Sequence, residues 1–417
     1  MANTTDVCPV CKSNNIKSAI EINDMPVYCN VLWSTHAQAM DVKKGDISLS
    51  YCCDCAHVYN RAFDEALMDY TEDYENSLHF SPKFNEYAEG LAQRLVDNYN
   101  IKHKVIVEIG CGKGDFLKML CDRGNNKGHG FDKSYDPSRS DVTLPENITF
   151  YQEFFGDKHS SLNPDLICCR HVLEHIEDPH AFLVNLRRGI GDNNPVVYFE
   201  VPNVLFTLKD MGIWDLIYEH CGYFSESSLV NAFQSSGFEV SAVGESFGGQ
   251  FLYIEARPVN DGASNVSKID YDLNEISQYV NEFENNYNNR VAHWRSEVKK
   301  IIAGSQQAVI WGAGSKGVTF LNVILNAALN ATNNSTNNAN NNETNSAANA
   351  QDAIKYVIDL NPHKCDQYVP GTGQQVKPPE FLKENKPDKI IIMNPIYEKE
   401  ITTLVRDMNI DAEIDCI

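Results

Sequence analysis

The sequence predicts an α/β protein built on a doubly wound parallel sheet, with a small cysteine-bound module before it and a second α/β unit behind. Three observations carry this. Val105-Ile-Val-Glu-Ile-Gly-Cys-Gly-Lys-Gly-Asp115 is a β-branched run that stops at alternate glycines, after which Phe116, Leu117, Met119 and Leu120 resume at helical spacing. The same strand, turn and helix signal returns at Ala308-Val-Ile-Trp-Gly-Ala-Gly-Ser-Lys-Gly317. Near the start, Cys8-Pro-Val-Cys11 and Cys52-Cys-Asp-Cys55 are two knuckles with metal spacing.

The first glycine turn reads as a ligand site. Gly110, Gly112 and Gly114 allow close backbone approach, and a helix starting near Asp115 offers unpaired amides. Alternate glycines alone do not choose between a dinucleotide and another nucleoside, and a turn kept only for packing is the bland alternative. Glu108 tips the choice, because a carboxylate at the strand end repels pyrophosphate and suits a ligand bearing a cation. Gly128–Phe131 reads as the second strand, and Asp132 at its end stands where an acid meets ribose hydroxyls. Further strands are expected at 148–151, 165–169 and 196–199, with a closing hairpin from 238–242 and 249–254. Ser81-Pro82 suits the start of a helix through Tyr87, Leu91 and Leu95.

Composition bounds the rest. With 417 residues the chain can bury two or three cores, and 42% hydrophobic with 22% charged residues is ordinary for a globular protein. A formal charge of −22 argues against nucleic acid or an anionic membrane as partner. No apolar run approaches the roughly 20 residues that span a bilayer, and the first ten residues hold no apolar signal core, so a cytoplasmic location is expected. The 13 cysteines are then thiols or metal ligands. Cys8, Cys11, Cys52 and Cys55 could close a tetrahedral zinc site that staples a module over residues 1–70; Cys29, His36 and His57 are possible substitutes, and free core thiols the alternative.

At the carboxyl end of the fourth strand, Arg170 and His171 should lie near the cofactor, with His175 a turn further on beside the substrate space unless it only caps or packs. Past a polar connector at 256–267, a long amphipathic helix from about Leu273 to Ala303 leads to the second α/β unit. There Lys316 puts a cation beside unpaired amides, suiting phosphate, with a nonbinding turn as the alternative. The stretch 329–350 is almost wholly Asn, Thr, Ser and Ala and reads as a disordered insertion.

These features together resemble a class I S-adenosylmethionine methyltransferase, and more narrowly the three-part sugar C-methyltransferases that act on nucleotide-linked 4-keto-6-deoxy sugars. The resemblance implies a zinc module over 1–70, a methyltransferase domain over 71–256 and a C-terminal Rossmann-like domain over 268–417 that contributes to the nucleotide-sugar side of the cleft. It puts S-adenosylmethionine over Gly110, Gly112 and Gly114 with its ribose at Asp132, and makes the zinc structural and distant from methyl transfer. Glu219-His220 followed by Tyr223-Phe224-Ser225 matches the Glu-His and Tyr-Phe-Ser signature of that family. On that likeness His220 is the general base, Glu219, His175 and Tyr74 hold the enediolate, and Tyr223 and Lys316 meet the substrate.

Three positions depart from the family pattern: Ile217 and Tyr218 where an aromatic hydroxyl usually precedes the Glu-His, Gln250 in place of a small polar residue, and Met393 in place of Trp before Asn394. Competing readings are an O- or N-methyltransferase, a C-methyltransferase on a non-sugar molecule, and a noncatalytic binding protein. The oligomeric state is not legible.

Overall fold

The structure, a computed structural model, describes residues 7–68, 78–135, 145–259, 273–333 and 353–417, with no side-chain description for 326–333. Among these, no helix is long and apolar enough to cross a membrane. β1 (Ile16–Pro26), β2 (Lys44–Cys52) and β3 (Val58–Asn60) form an antiparallel meander.

The central sheet takes β4 (Val105–Ile109), β5 (Lys127–Phe131), β6 (Ile148–Tyr151), β7 (Leu166–Arg170) and β8 (Val196–Pro202), all parallel. β4, β7 and β8 are short, mostly apolar runs because helices cover both faces of the sheet. β9 (Gly222–Tyr223) leaves this sheet and pairs with β3 instead. β10 (Phe238–Ser246) and β11 (Phe251–Pro258) are the expected hairpin, and β11 runs antiparallel to β8. The order is β10-β11-β8-β7-β4-β5-β6, the doubly wound order of class I methyltransferases, reversing beside β4.

The helix Pro82–Asn98 starts as its sequence dictates: Ser81 Oγ accepts the Phe84 N–H at 3.3 Å, and proline fills the first turn, where its missing N–H costs nothing. The long helix Leu273–Ala303 buries one stripe, Ile276, Val280, Phe283, Tyr287, Val291, Trp294, Val298 and Ile301, and packs against β1. β12 (Ala308–Trp311), β13 (Ile354–Ile358), β14 (Gln375–Lys377), β15 (Lys389–Ile392) and β16 (Glu413–Cys416) form a parallel Rossmann-like sheet ordered β14-β13-β12-β15-β16. The helix after β12 runs Ser315–Asn333, entering the Asn-rich stretch, whose remainder lies outside the described residues.

The cores do not follow the chain's linear order. Ile20, Ile47 and Tyr51 of the first sheet share one cluster with Phe283 and with Ile310 and Phe320 of the third unit. Cys8, Cys52 and Cys55 belong to the cluster of Phe224, Leu229 and the central sheet.

Candidate active site

β4 and β7 end side by side at the carboxyl edge of the central sheet, where a cleft of about 1200 Å³ opens. It takes in the first glycine turn, Asp132, His175, Glu219 and His220, and it extends to Gly312 and Lys316 beside the third sheet. One cavity therefore joins both glycine turns. Tyr28, Asn30 and Phe63 of the N-terminal module also line it.

The three glycines do different work. All have positive φ, +68°, +51° and +84° for Gly110, Gly112 and Gly114. A Cβ on Gly110 would drive into Val172 and one on Gly114 into Phe150, whereas at Gly112 nothing lies within 4 Å. Packing thus explains two glycines, and the third leaves open cleft for a ligand. Asp132 Oδ2 accepts the Gly112 N–H at 2.9 Å, while its Oδ1 accepts the Ser134 N–H at 2.8 Å and hydroxyl at 2.7 Å. The turn and the acid expected at the ribose are thereby one rigid unit. Glu108 is 4% exposed, and its Oε2 has no hydrogen-bond partner among the described residues. Burial, opposed by Arg170 and reinforced by Asp115, raises its carboxyl to about 8. A buried acid with one oxygen lacking a donor among the described residues fits a cationic ligand group, and together these residues fit S-adenosylmethionine.

Behind the turn, Arg170 and His171 are held by a residue the sequence reading missed. Glu200, on β8 and fully buried, accepts from Arg170 Nε at 3.0 Å and lies 3.2 Å from His171 Nε2. Tyr198 donates to it at 3.1 Å, and Tyr87, reaching over from the helix Pro82–Asn98, donates as well. Its burial disfavours charge, yet Arg170 and His171 outweigh that and hold the carboxyl far below the usual range. For His171 burial likewise opposes the charged form, but the contacts with Glu174 and Glu200 win and lift it to about 9. Arg170 and His171 line the cleft as expected, with their charge committed to this hub. The signal available in the sequence was an acid inside an apolar strand, Val196-Val-Tyr-Phe-Glu-Val201.

His175 and His220 meet edge to face with ring centroids 4.9 Å apart. His175 Nδ1 lies 2.9 Å from the Glu219 carbonyl oxygen; donating there leaves the lone pair of the neutral ring on Nε2. His220 Nδ1 is buried without a partner among the described residues, and burial, then His175, His171 and Lys316, drive its pKa well below the ordinary histidine value. An ordinary exposed imidazole would titrate near neutrality, and it is the surroundings of His220 that disfavour its charged form. Glu219 Oε2 accepts the Cys29 N–H at 2.8 Å, its Oε1 has no partner among the described residues, and burial raises the carboxyl to about 8 despite that N–H.

Other expected residues fare differently. Tyr223 does not line the cleft: its hydroxyl donates to the Ile217 carbonyl at 3.1 Å and accepts the Ile217 N–H at 3.2 Å, which turns it inward. Tyr218 is also turned away, its hydroxyl accepting the Asp64 N–H at 2.8 Å. Lys316 lines the cleft but is bonded to Asp215, which already balances its charge. Tyr74 lies outside the described residues. One departure from the family pattern has a local partner: Gln250 and Asn394 exchange amide hydrogen bonds of 2.8 and 3.0 Å at the cleft wall. The second glycine turn copies the first, with Asp359 Oδ2 accepting the Ala313 N–H at 2.8 Å.

The thiols of Cys8, Cys11, Cys52 and Cys55 lie within 4.8 Å of one another, with Cys8–Cys55 at 3.6 Å and Cys11–Cys52 at 3.5 Å. Zn–S bonds of about 2.3 Å in a tetrahedron set sulfurs ~3.8 Å apart, so the four fit zinc with a small expansion. Neither Cys29, beside Glu219, nor His36, against Tyr368, nor His57, stacked on Tyr59, joins that group.

Comparison with known proteins agrees with this geometry. Residues 82–243 match the family model of a methyltransferase domain, and residues 341–411 match that of a C-methyltransferase C-terminal domain. No curated protein matches the chain. Among solved structures, a SAM-dependent methyltransferase from Aquifex aeolicus is 14% identical over 43% of this chain and 95% of its own, with a TM-score of 0.34. An S-adenosylmethionine-dependent methyltransferase from Mesorhizobium loti is 16% identical over 41% of this chain and 99% of its own, at 0.31. Magnesium protoporphyrin IX methyltransferase from Synechocystis PCC 6803 is 17% identical over 42% of this chain and 84% of its own, at 0.33. The fold rests on the sheet order and the matched domains, and these distant likenesses add nothing to it.

Proposed function

We propose that this S-adenosylmethionine-dependent methyltransferase methylates carbon, on a nucleotide-linked 4-keto-deoxy sugar, through a base-generated enediolate. The observation that carries the reading is the pair of imidazoles, His175 and His220, facing the same cleft as the cofactor turn. Oxygen and nitrogen acceptors carry their own lone pair, whereas carbon next to a carbonyl must first lose a proton, and a base is needed for that. The match of residues 341–411 to a C-methyltransferase C-terminal domain supports the same choice.

S-adenosylmethionine supplies an electrophilic methyl group on sulfur. The chain's own part is to hold the acceptor and move one proton. His220 takes the α proton as the C–H electron pair shifts toward the carbonyl oxygen. Its low affinity for protons in the empty cleft is offset in the reaction, because the growing negative charge beside it favours imidazolium. Glu219, protonated at neutral pH, has Oε1 available to donate a hydrogen bond to the developing enediolate. His175, fixed by the Glu219 carbonyl, offers Nε2 as a second contact. Lys316 and the second glycine turn line the same cleft beside the third sheet, where the nucleotide would be accommodated.

The test is His220→Ala, assayed with a panel of nucleotide-linked 4-keto-6-deoxy sugars. S-adenosylhomocysteine affinity should persist while methyl transfer and solvent exchange of the substrate's α proton both disappear. Exchange at the wild-type rate would move the base to His175, and a product methylated on oxygen or nitrogen would remove the need for one.

A further inference from the structure

The second cysteine knuckle sits on a hairpin that leads straight to the acid–base group, and the first, Cys8 and Cys11, lies before β1 with its thiols against the second. β2 ends on Cys52, the turn carries Cys55, and β3 begins at Val58. β3 pairs with β9, Val58 opposite Tyr223 and Tyr59 opposite Gly222, and the Asn60 N–H donates to the carbonyl of Cys221, next to His220, at 3.0 Å. On the other flank the Cys29 N–H holds the Glu219 carboxylate. The turn itself is tied down beside them, Ser227 Oγ donating to the Cys55 carbonyl at 2.8 Å and Ser225 Oγ to that of Ala56 at 3.1 Å.

A two-residue strand such as β9 has no stability of its own, and its partner β3 is only three residues long. β3 is held by its pairing with β2, from Leu49 opposite Asn60 to Tyr51 opposite Val58, and the register of that pairing is set by the turn between them, which two of the four thiolates close when metal is bound. The contacts on Glu219 and on Cys221 are made by backbone N–H groups, so they depend on where the module's chain runs and not on its side chains.

We propose that zinc on Cys8, Cys11, Cys52 and Cys55 positions Glu219 and His220 through β3 and Cys29, coupling the metal to proton transfer although it touches neither cofactor nor substrate. The proposal rests on the reading of Glu219-His220 as the acid–base group. It replaces the expectation of a metal remote from catalysis.

Hydrogen exchange read by mass spectrometry, without any acceptor, tests it. The full-length protein is compared zinc-loaded, zinc-stripped by a chelator, and as Cys55→Ser and Cys55→His, with zinc content measured in each. On zinc loss, amides of segment 217–224 should exchange at least about tenfold faster. Segment 105–117 should keep its protection and S-adenosylhomocysteine affinity should stay within about twofold, because those groups belong to the central sheet. Cys55→His, which keeps a zinc-ligating side chain, should retain metal and restore the protection of 217–224. If 217–224 stays protected while residues 8–60 open, the central domain holds the pair unaided and the proposal fails. If cofactor affinity and segment 105–117 are lost as well, zinc staples the whole fold and the positioning role also fails. None of these outcomes depends on whether the acceptor is a sugar.

Discussion

Glu108 should make cofactor affinity depend on pH. Its carboxyl is raised from 4.5 to about 8, chiefly by burial, so without a cation beside it the group is mostly protonated at neutral pH. A ligand cation pairs only with the ionised form, and binding must release the proton. With a pKa near 8, the ionised fraction is about 1% at pH 6 and about 10% at pH 7, a tenfold gain in affinity per pH unit, or about 1.4 kcal/mol. Above about pH 8 the gain should level off, and there the ligand's own ammonium also begins to lose its charge. Calorimetry with S-adenosylmethionine from pH 6.0 to 7.5 should therefore show affinity rising with pH and proton release on binding. Glu108→Gln should flatten the curve, because its amide does not titrate. A flat wild-type profile, or the same slope in Glu108→Gln, would refute the idea that this orphan acid meets the ligand's cation.

Three further substitutions test the frame of the site. Arg170→Met should cost about 3 kcal/mol in urea unfolding followed by tryptophan fluorescence, since it leaves the buried Glu200 carboxylate dependent on His171 for a cation. Because His171 has its pKa raised from 6.5 to about 9, its share of stability is full below pH 6.5 and is lost as pH rises through 9, so the variant should weaken most steeply over that window. Gly114→Ala and Gly112→Ala should separate packing from ligand approach. The first puts a methyl into Phe150 at φ +84° and should cost about 2–4 kcal/mol in thermal unfolding. The second meets no atom and should cost about 1 kcal/mol while sharply weakening S-adenosylhomocysteine binding.

Local signals made much of the molecule readable. The apolar run ending at Gly110 dictates strand and turn because buried parallel strands need no alternation. The stripe from Ile276 to Ile301 dictates its long helix because only a 3.6-residue period keeps those residues on one face. The cysteine spacing named the four thiols, since a knuckle is a local structure. Other features depended on residues far apart in sequence. Glu200 becomes a hub only when β8 lies beside β7 and Tyr87 reaches in from another helix. His220 has its pKa driven well below the ordinary histidine value chiefly by burial, which only the assembled fold creates. Tyr223 leaves the substrate because its hydroxyl finds a backbone partner at Ile217. The sequence by itself determined the strands of the central sheet, the glycine turns, the cofactor class and the four thiols that could hold a metal, because each signal is written in residues within one element or one turn. Only the tertiary structure decided that β9 crosses to β3 and that Cys29 holds Glu219, because backbone hydrogen bonds between distant segments carry no side-chain signature.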